Sequence, residues 1–299
     1  MNKIEEFLLN YHSKSTIHTY RCFLKRFFDG INSDPDTYFN ENRDYETDVK
    51  KFHHDLIDNP PKTIYTALTV VRVFLSENDI ELPNKFWRGI RNRTKGSRAV
   101  TDDKVPSNLE LKKILSHADV RARAFFLTLA SSGMRIGETC LIKINDVDLD
   151  SQPSSIHMRA EYTKSGNKRI CFISDEARDA IKAWLIHRDQ YLKTACRRSK
   201  AFEGYHRRKE KKSPNDNRLF PFSKGTATDV WNRLLKNAEF GDVDERTKVH
   251  KMHPHTLRKF FRTRLSLNIP LDVVEALMGH EGYLTAAYRR YSPEQLGEL

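Results

Sequence analysis

Apolar residues recur at helical spacing through the first third of the chain. From Ser15 to Asp29 they fall on one face of a predicted helix, and from Lys62 to Leu75 they do so again. No alternation typical of β-strands lies between these segments, so residues 1–95 are predicted to form a small helical domain. The positions that define the two faces are Tyr20, Phe23, Leu24, Phe27 and Phe28 in the first segment, and Ile64, Leu68, Val71 and Leu75 in the second.

A basic stretch without an acidic residue follows, from Arg88 to Arg98, and Pro106 closes the segment. The stretch from Arg88 to Pro106 is typical of a linker, whose bounds we place at residues 96–106. A basic linker can lie along phosphates and hold two domains around a duplex. The alternative is an ordinary solvated connector.

Residues 107–299 combine helical patterns with one pair of strands. Ser107 and Glu110 have the spacing of a capping box that starts a helix. The apolar segment Arg121–Ser132 predicts a second helix, which Gly133 ends. Further helices are predicted at Asp175–Arg188, Thr228–Phe240, Thr256–Asn268 and Leu271–Met278, with an exposed basic loop at residues 196–218.

Two short segments with strand character, Ile156–Glu161 and Arg169–Ile173, flank a polar turn that contains Lys164 and Gly166. This arrangement predicts a β-hairpin with Lys164 at its tip. The predicted fold class is therefore mostly α. It comprises an N-terminal helical domain and a C-terminal, mainly helical domain with a small antiparallel β-sheet.

The positive charge is concentrated in the second part of the chain. The net charge is +12 over 299 residues, of which the first 98 residues contribute +2 and the remainder +10. An uneven distribution of this kind indicates a polyanionic partner, although simple solubility would also account for a basic composition.

Composition also excludes several classes of protein. No apolar run approaches the roughly 20 residues that span a membrane, and the N-terminus does not match a secretory signal. The four cysteines, Cys22, Cys140, Cys171 and Cys196, show no metal-type pairing. We expect free thiols in the reducing cytoplasm.

Six residues in a fixed order suit covalent chemistry on a phosphodiester. Two arginines can each make paired, charged hydrogen bonds to non-bridging phosphate oxygens. A tyrosine has a pKa near 10, so a base must take its proton during attack. Glu138 lies three residues after the first arginine and either orients that guanidinium or is favoured by the helix dipole. The candidates are Arg135, Lys164, His255, Arg258, His280 and Tyr288.

This order resembles the signature of the tyrosine recombinase (phage integrase) family. The resemblance covers about two-thirds of the chain and rests on an arginine after Ser-Ser-Gly-Met, a lysine in a hairpin, His-Thr-Leu-Arg, Met-Gly-His and a tyrosine eight residues later. It implies that residues 1–95 are a DNA core-binding domain and residues 107–299 a catalytic domain. It also implies that Lys164 protonates the leaving 5′-oxygen, that His255 accepts a proton or binds phosphate, and that His280 donates to the phosphate.

The position of the nucleophile departs from the usual family pattern. Tyr288 lies one residue closer to His280 than is common, Tyr291 lies too far, and Tyr283 lies too close. In members of the family a helix begins shortly after the nucleophile. If Ser292–Glu294 is the start of that helix, Tyr288 takes the position of the nucleophile. Tyr291 remains the alternative. The C-terminal segment also resembles archaeal integrases of viruses and plasmids. That resemblance fits the shortened spacing between His280 and Tyr288.

The implied function is site-specific recombination that integrates or excises a mobile element. Its partner would be double-stranded DNA attachment sites, and four protomers would exchange strands through a Holliday junction. No metal site or phosphate-binding glycine loop is evident, so we expect no cofactor.

Two other functions fit parts of this pattern. A type IB topoisomerase-like enzyme would nick and reseal DNA with little site specificity. A DNA-binding or architectural protein without catalytic activity would explain the charge and the two domains, but not the ordered residues.

Overall fold

The chain divides into two compact units, Met1–Val100 and Thr101–Leu299. The computed structural model describes residues 2–94, 96, 102–201, 212–245 and 247–280. In the described part of the first unit the α-helices are α1 (Lys3–Leu8), α2 (Lys14–Ile31), α3 (Tyr45–Asp55), α4 (Pro61–Ser76) and α5 (Asn84–Arg93).

The two predicted helical faces of the first unit form its core. Helix α2 begins after Ser13, whose hydroxyl caps the first turn, and ends at Asn32 in the left-handed conformation. Its Phe27 side chain is fully buried, and Tyr20 packs against the edge of the core. All four predicted apolar positions of α4 are buried, so helical periodicity located both α2 and α4 correctly.

Helix α5 includes residues that charge alone assigned to the linker. Trp87 and Ile90, three residues apart, are buried against the core, whereas Arg88 and Arg91 are exposed. That part of the linker prediction is wrong, because one turn of apolar packing suffices to keep a basic segment helical.

The second unit surrounds a central helix. Among its described residues the elements are α6 (Asn108–Ser116), α7 (Val120–Ser132), α8 (Ile136–Thr139), β1 (Val147–Asp148), β2 (Ser155–Met158), β3 (Arg169–Phe172), α9 (Asp175–Ala201), α10 (Lys224–Asn237), α11 (Pro254–Leu265) and α12 (Leu271–Met278).

Helix α7 lies at the centre of this unit and packs against α9 and α11. Its Phe125 and Phe126 side chains are buried, and Phe126 lies against Trp231 of α10. The three strands form an antiparallel sheet in the order β1-β2-β3, with Ile156 opposite Cys171 and both side chains in the core. The predicted fold class, mostly α with a small sheet, is confirmed, and β2 and β3 pair as the predicted hairpin. The predicted first strand, Ile156–Glu161, is too long, because β2 ends at Met158 and Ala160–Tyr162 form a 3-10 helix.

Helix α9 is longer than predicted. It continues to Ala201, so the first residues of the expected basic loop at 196–218 are helical. Leu192 is buried and Tyr191 packs against Trp184, which extends the apolar face beyond Arg188. Lysine and arginine are good helix formers, so their accumulation did not end the helix.

Two expectations from composition concern cysteines and membranes. The four cysteines, all within the described residues, form no disulfide bond, and Cys140 and Cys171 are buried. Over the ranges that the structure describes, no helix has both the length and the apolar character required to cross a bilayer.

Gly133 ends α7 where two helices approach closely. Its φ of 63° lies in the left-handed region, as the sequence predicted for this helix end. A Cβ atom at this position would lie 2.8 Å from Cγ and Cε1 of Phe261 on α11. A glycine is therefore required here both by backbone conformation and by space.

Gly133→Ala is expected to lower the free energy of unfolding by about 2–5 kcal/mol, because the left-handed conformation costs about 1–2 kcal/mol and the overpacking about 1–3 kcal/mol. Urea denaturation would measure the change. Gly137→Ala is the matched control, since no atom lies within 4 Å of a Cβ at that helical position. Equal stability of the two variants would contradict the packing described for Gly133.

Candidate active site

Arg135 follows the left-handed turn at Gly133 and immediately precedes α8. The carboxylate of Glu138, three residues later, accepts hydrogen bonds from the Arg135 backbone N–H at 3.0 Å and from its Nη1 at 2.8 Å. Only 3% of the Glu138 side chain is exposed, against 35% for Arg135. Glu138 therefore caps the helix start and orients the guanidinium, so the two roles considered from sequence both apply.

Arg169 is a member of this cluster that the sequence did not identify. It begins β3, and its Nη2 donates to Glu138 Oε2 at 2.6 Å. Its side chain is 11% exposed and lies against Gly279, where a Cβ would come within 3.0–3.2 Å of Nη1, Cζ and Cδ of Arg169. Gly279 thus leaves space for Arg169 beneath the turn that follows α12.

Arg258 lies on α11 and is the most deeply buried arginine of the cluster, with 2% of the residue exposed. Its Nη1 donates to the Gly133 carbonyl, and its Nη2 donates to the Met278 carbonyl at 2.7 Å. Burial, followed by the nearby charge of Arg135, lowers the pKa of Arg258 to about 10. The guanidinium remains protonated at neutral pH and is held by two helix ends.

His280 follows α12 and Gly279, and its Nε2 lies 2.8 Å from Arg258 Nη2. Its Nδ1 lies 2.5 Å from Glu275 Oε2. Glu275 also accepts a hydrogen bond from Arg262 Nε at 2.5 Å. The structure therefore brings Arg135, Arg258 and His280 together, as the sequence predicted, and adds Glu275 as a partner that the sequence did not suggest.

His255 precedes Arg258 by one helical turn and is exposed at the rim of the site. Partial burial of its ring, then the charges of His253 and Arg258, lower the pKa of His255, so the neutral ring can accept a proton near pH 7. The rings of His253 and His255 are parallel, with centroids 6.2 Å apart. His253 Nε2 in turn lies 3.1 Å from Asp103.

Lys164 is exposed in the connection between β2 and β3, next to Gly166, whose φ is 75°. The Thr163 hydroxyl donates to the Asn167 carbonyl at 3.1 Å across this turn. The lysine therefore lies at the hairpin tip, where the sequence placed it. Tyr288, and the competing Tyr283 and Tyr291, lie outside the described residues.

The charges of the cluster do not balance. The guanidinium groups of Arg135 and Arg169 both donate to the carboxylate of Glu138, and Arg258 lies close enough for the charges of Arg135 and Glu138 to affect its pKa. Burial raises the pKa of Glu138, but hydrogen bonds from Arg169 and Arg135 outweigh it and hold that pKa below its usual range. With Glu138 ionised, the cluster carries a net charge of about +2 in a partly desolvated position, which favours an anion. Among the described residues, no group of three or more His, Cys, Asp or Glu side chains is arranged to hold a metal ion.

Glu138→Gln is expected to lower the free energy of unfolding by about 3–5 kcal/mol at pH 7, because it removes one partner of a buried ion pair. A carboxylate with a lowered folded-state pKa contributes stability above its unfolded-state pKa of about 4.3, and this contribution is lost as the pH falls through the folded-state value. Urea titrations of both proteins from pH 7 down to about 3 would show the difference shrinking below about pH 4. A difference that stays constant over this range would show that the charge of Glu138 is not responsible.

Comparison with known proteins shows similarity to the phage integrase family and to tyrosine recombinases. The model of the phage integrase family matches residues 98–295. Tyrosine recombinase XerC of Bacillus subtilis (strain 168) is 30% identical over 190 residues, which cover 62% of this chain and 55% of that protein. Tyrosine recombinase XerA of Thermococcus onnurineus (strain NA1) is 31% identical over 208 residues, covering 64% and 62% respectively. The match thus spans less than two-thirds of each relative.

A solved lambda integrase tetramer bound to a Holliday junction has the same fold, with a TM-score of 0.63. The sequence identity is 14%, and the alignment covers 97% of this chain and 78% of that one. The likeness extends over both units of the chain.

Proposed function

Since this chain belongs to the phage integrase family, we propose that it is a site-specific DNA recombinase. In this proposal it cleaves and rejoins DNA through a covalent 3′-phosphotyrosyl intermediate and thereby integrates or excises a mobile element. It acts on double-stranded attachment sites in the cytoplasm.

The unbalanced guanidinium cluster is the observation that carries the proposal. Arg258 is buried, and its pKa is lowered by burial and then by repulsion from Arg135. An anion bound between these arginines would relieve both effects. A phosphodiester carries one negative charge and two non-bridging oxygens, which match two planar guanidinium forks.

The remaining roles follow from the chemistry of cleavage. The Tyr288 oxygen forms a bond to phosphorus while the bond to the 5′-oxygen breaks. His255, neutral at the rim of the site, accepts the tyrosine proton or donates to a non-bridging oxygen. Lys164, at an exposed hairpin tip, donates a proton to the leaving 5′-oxygen. Arg135, Arg258 and His280 stabilise the charge that spreads over the non-bridging oxygens.

Religation reverses these steps. The 5′-hydroxyl of the partner strand attacks the phosphotyrosine, and the tyrosine regains its proton. The phosphodiester bond energy is conserved in the intermediate, so neither ATP nor a metal ion is needed. Four protomers acting on two sites would exchange strands, and the likeness to a lambda integrase tetramer on a Holliday junction supports this assembly.

The direct test is covalent trapping on DNA. Binding sites would be selected from random duplexes, and the protein would then be incubated with a selected site carrying a nick next to the scissile phosphate, in chelator and without ATP. We expect an adduct that resists denaturant and leaves a free 5′-hydroxyl. Tight binding without an adduct would favour the DNA-binding function, and relaxation of plasmids that lack the selected site would favour a topoisomerase.

A further inference from the structure

Glu275 connects α11 to the turn that carries His280. Its Oε1 accepts from Arg262 Nε, and its Oε2 lies 2.5 Å from His280 Nδ1. The backbone carbonyl of Glu275 also accepts from the His280 N–H at 2.9 Å. Both the main chain and the side chain of Glu275 therefore hold the histidine.

The opposite ring nitrogen of His280 determines where its proton lies. Nε2 faces Arg258 Nη2 at 2.8 Å, and a guanidinium group can only donate. Nε2 must accept this hydrogen bond, so the ring proton lies on Nδ1 and is donated to Glu275. The contacts thus select one tautomer of the imidazole.

The groups on either side of the ring are themselves fixed. Arg258 is buried and also bonded to the carbonyls of Gly133 and Met278. Gly279 has a φ of 71°, and Arg169 lies against it. Among the described residues, the charged groups that contact His280 are Glu275 from α12 and Arg258 from α11. Arg262 of α11 contacts Glu275, and Arg169 of β3 lies against Gly279. Glu275 is the carboxylate among them that contacts the ring.

We propose that Glu275 is a positioning residue for catalysis: by accepting the Nδ1 proton it aims His280 Nε2 at the anion site beside Arg258. The catalytic part of this inference rests on the proposed function. When a phosphate oxygen enters, Arg258 donates to it and no longer to Nε2. The ring takes up one proton from a buffer acid at Nε2, becomes a cation and donates to the phosphate there, while Nδ1 continues to donate to Glu275.

The first test uses the DNA-free protein and reads the tautomer directly. Histidine labelled with ¹⁵N distinguishes protonated from unprotonated ring nitrogens, and the His280 signal is identified by its loss in His280→Gln. We expect protonated Nδ1 in the wild type. In Glu275→Ala the half-exposed ring loses the acceptor that orients it, so we expect it to leave Arg258 Nη2 and to lose the preference for protonated Nδ1. Arg262→Gln is the matched control, because it removes the tie between α11 and α12 but leaves the contact with His280. An unchanged tautomer in Glu275→Ala would overturn the proposal.

The second test measures adduct formation on the nicked site at saturating protein. Glu275→Ala should slow it by about tenfold or more, a part of the roughly 10²–10³-fold lost when a whole charge-stabilising donor is removed. Arg262→Gln should stay close to wild type, since a half-exposed ion pair contributes only about 0–1 kcal/mol. Equal loss in both variants would show that Glu275 acts only as a link between helices. Absence of an adduct from the wild type would refute the proposed function and leave the tautomer result standing.

Discussion

Replacing Arg258 with lysine is expected to slow adduct formation on the nicked site by about 10²–10³-fold while DNA binding is largely retained. The guanidinium is held by the carbonyls of Gly133 and Met278, which fix the plane of its fork. Lysine preserves one positive charge but presents a single ammonium group, so it cannot hold both carbonyls and face the phosphate at once. Single-turnover kinetics at saturating protein would measure the effect.

Arg264→Lys provides the matched control for this substitution. Arg264 lies on the same helix, is exposed, and has its guanidinium 5.5 Å from the ring centre of Phe260. Its replacement should leave the cleavage rate unchanged. Because Arg258 is buried, the thermal unfolding of each variant must be recorded. A folded Arg258→Lys protein that cleaves at the wild-type rate would remove Arg258 from the proposed chemistry.

Helical periodicity predicted those elements whose apolar positions are not accompanied by a run of basic residues. The helix from Leu271 to Met278 was located to the residue, and α2 and α4 nearly so. Prediction failed at α5 and at the end of α9, where a few apolar contacts compete with a conspicuous run of basic residues. Charge composition reports what a segment exposes to solvent, whereas its conformation depends on the side it buries.

In the candidate site, too, local sequence patterns predicted some residues, whereas others depend on packing between distant segments. Arg135, Arg258 and His280 were found because short local motifs carry them. Arg169 was missed because a basic residue beside a lysine-rich turn gives no sign that it will be buried under Glu138. Glu275 looks like any acidic residue on a helix surface. The pairing of Arg169 with Glu138 brings β3 next to α8, and the pairing of Glu275 with Arg262 brings α12 next to α11. No local pattern specifies either approach.

Tyr288→Phe is expected to abolish the covalent adduct, lowering its rate of formation by at least about 10⁴-fold, because in the proposed mechanism the Tyr288 hydroxyl supplies the attacking oxygen. DNA binding should persist, since the ring is retained and only one hydroxyl is lost. Tyr291→Phe, three residues away, is the matched control and should still form the adduct. Gel electrophoresis in denaturant would measure the covalent fraction, and peptide mass spectrometry of the trapped species would locate the phosphotyrosine.

The two variants distinguish whether a tyrosine forms the adduct from which tyrosine does so. If Tyr291→Phe lost the adduct and Tyr288→Phe kept it, the nucleophile would be Tyr291, and the one-residue shortening after His280 would be wrong. If both single variants formed the adduct as well as the wild type does, either tyrosine would be able to reach the phosphate. The segment after His280 would then not fix a single distance between the nucleophile and the guanidinium cluster. Since Arg258 and His280 are held by several hydrogen bonds each, we expect the site to demand one distance and therefore one tyrosine.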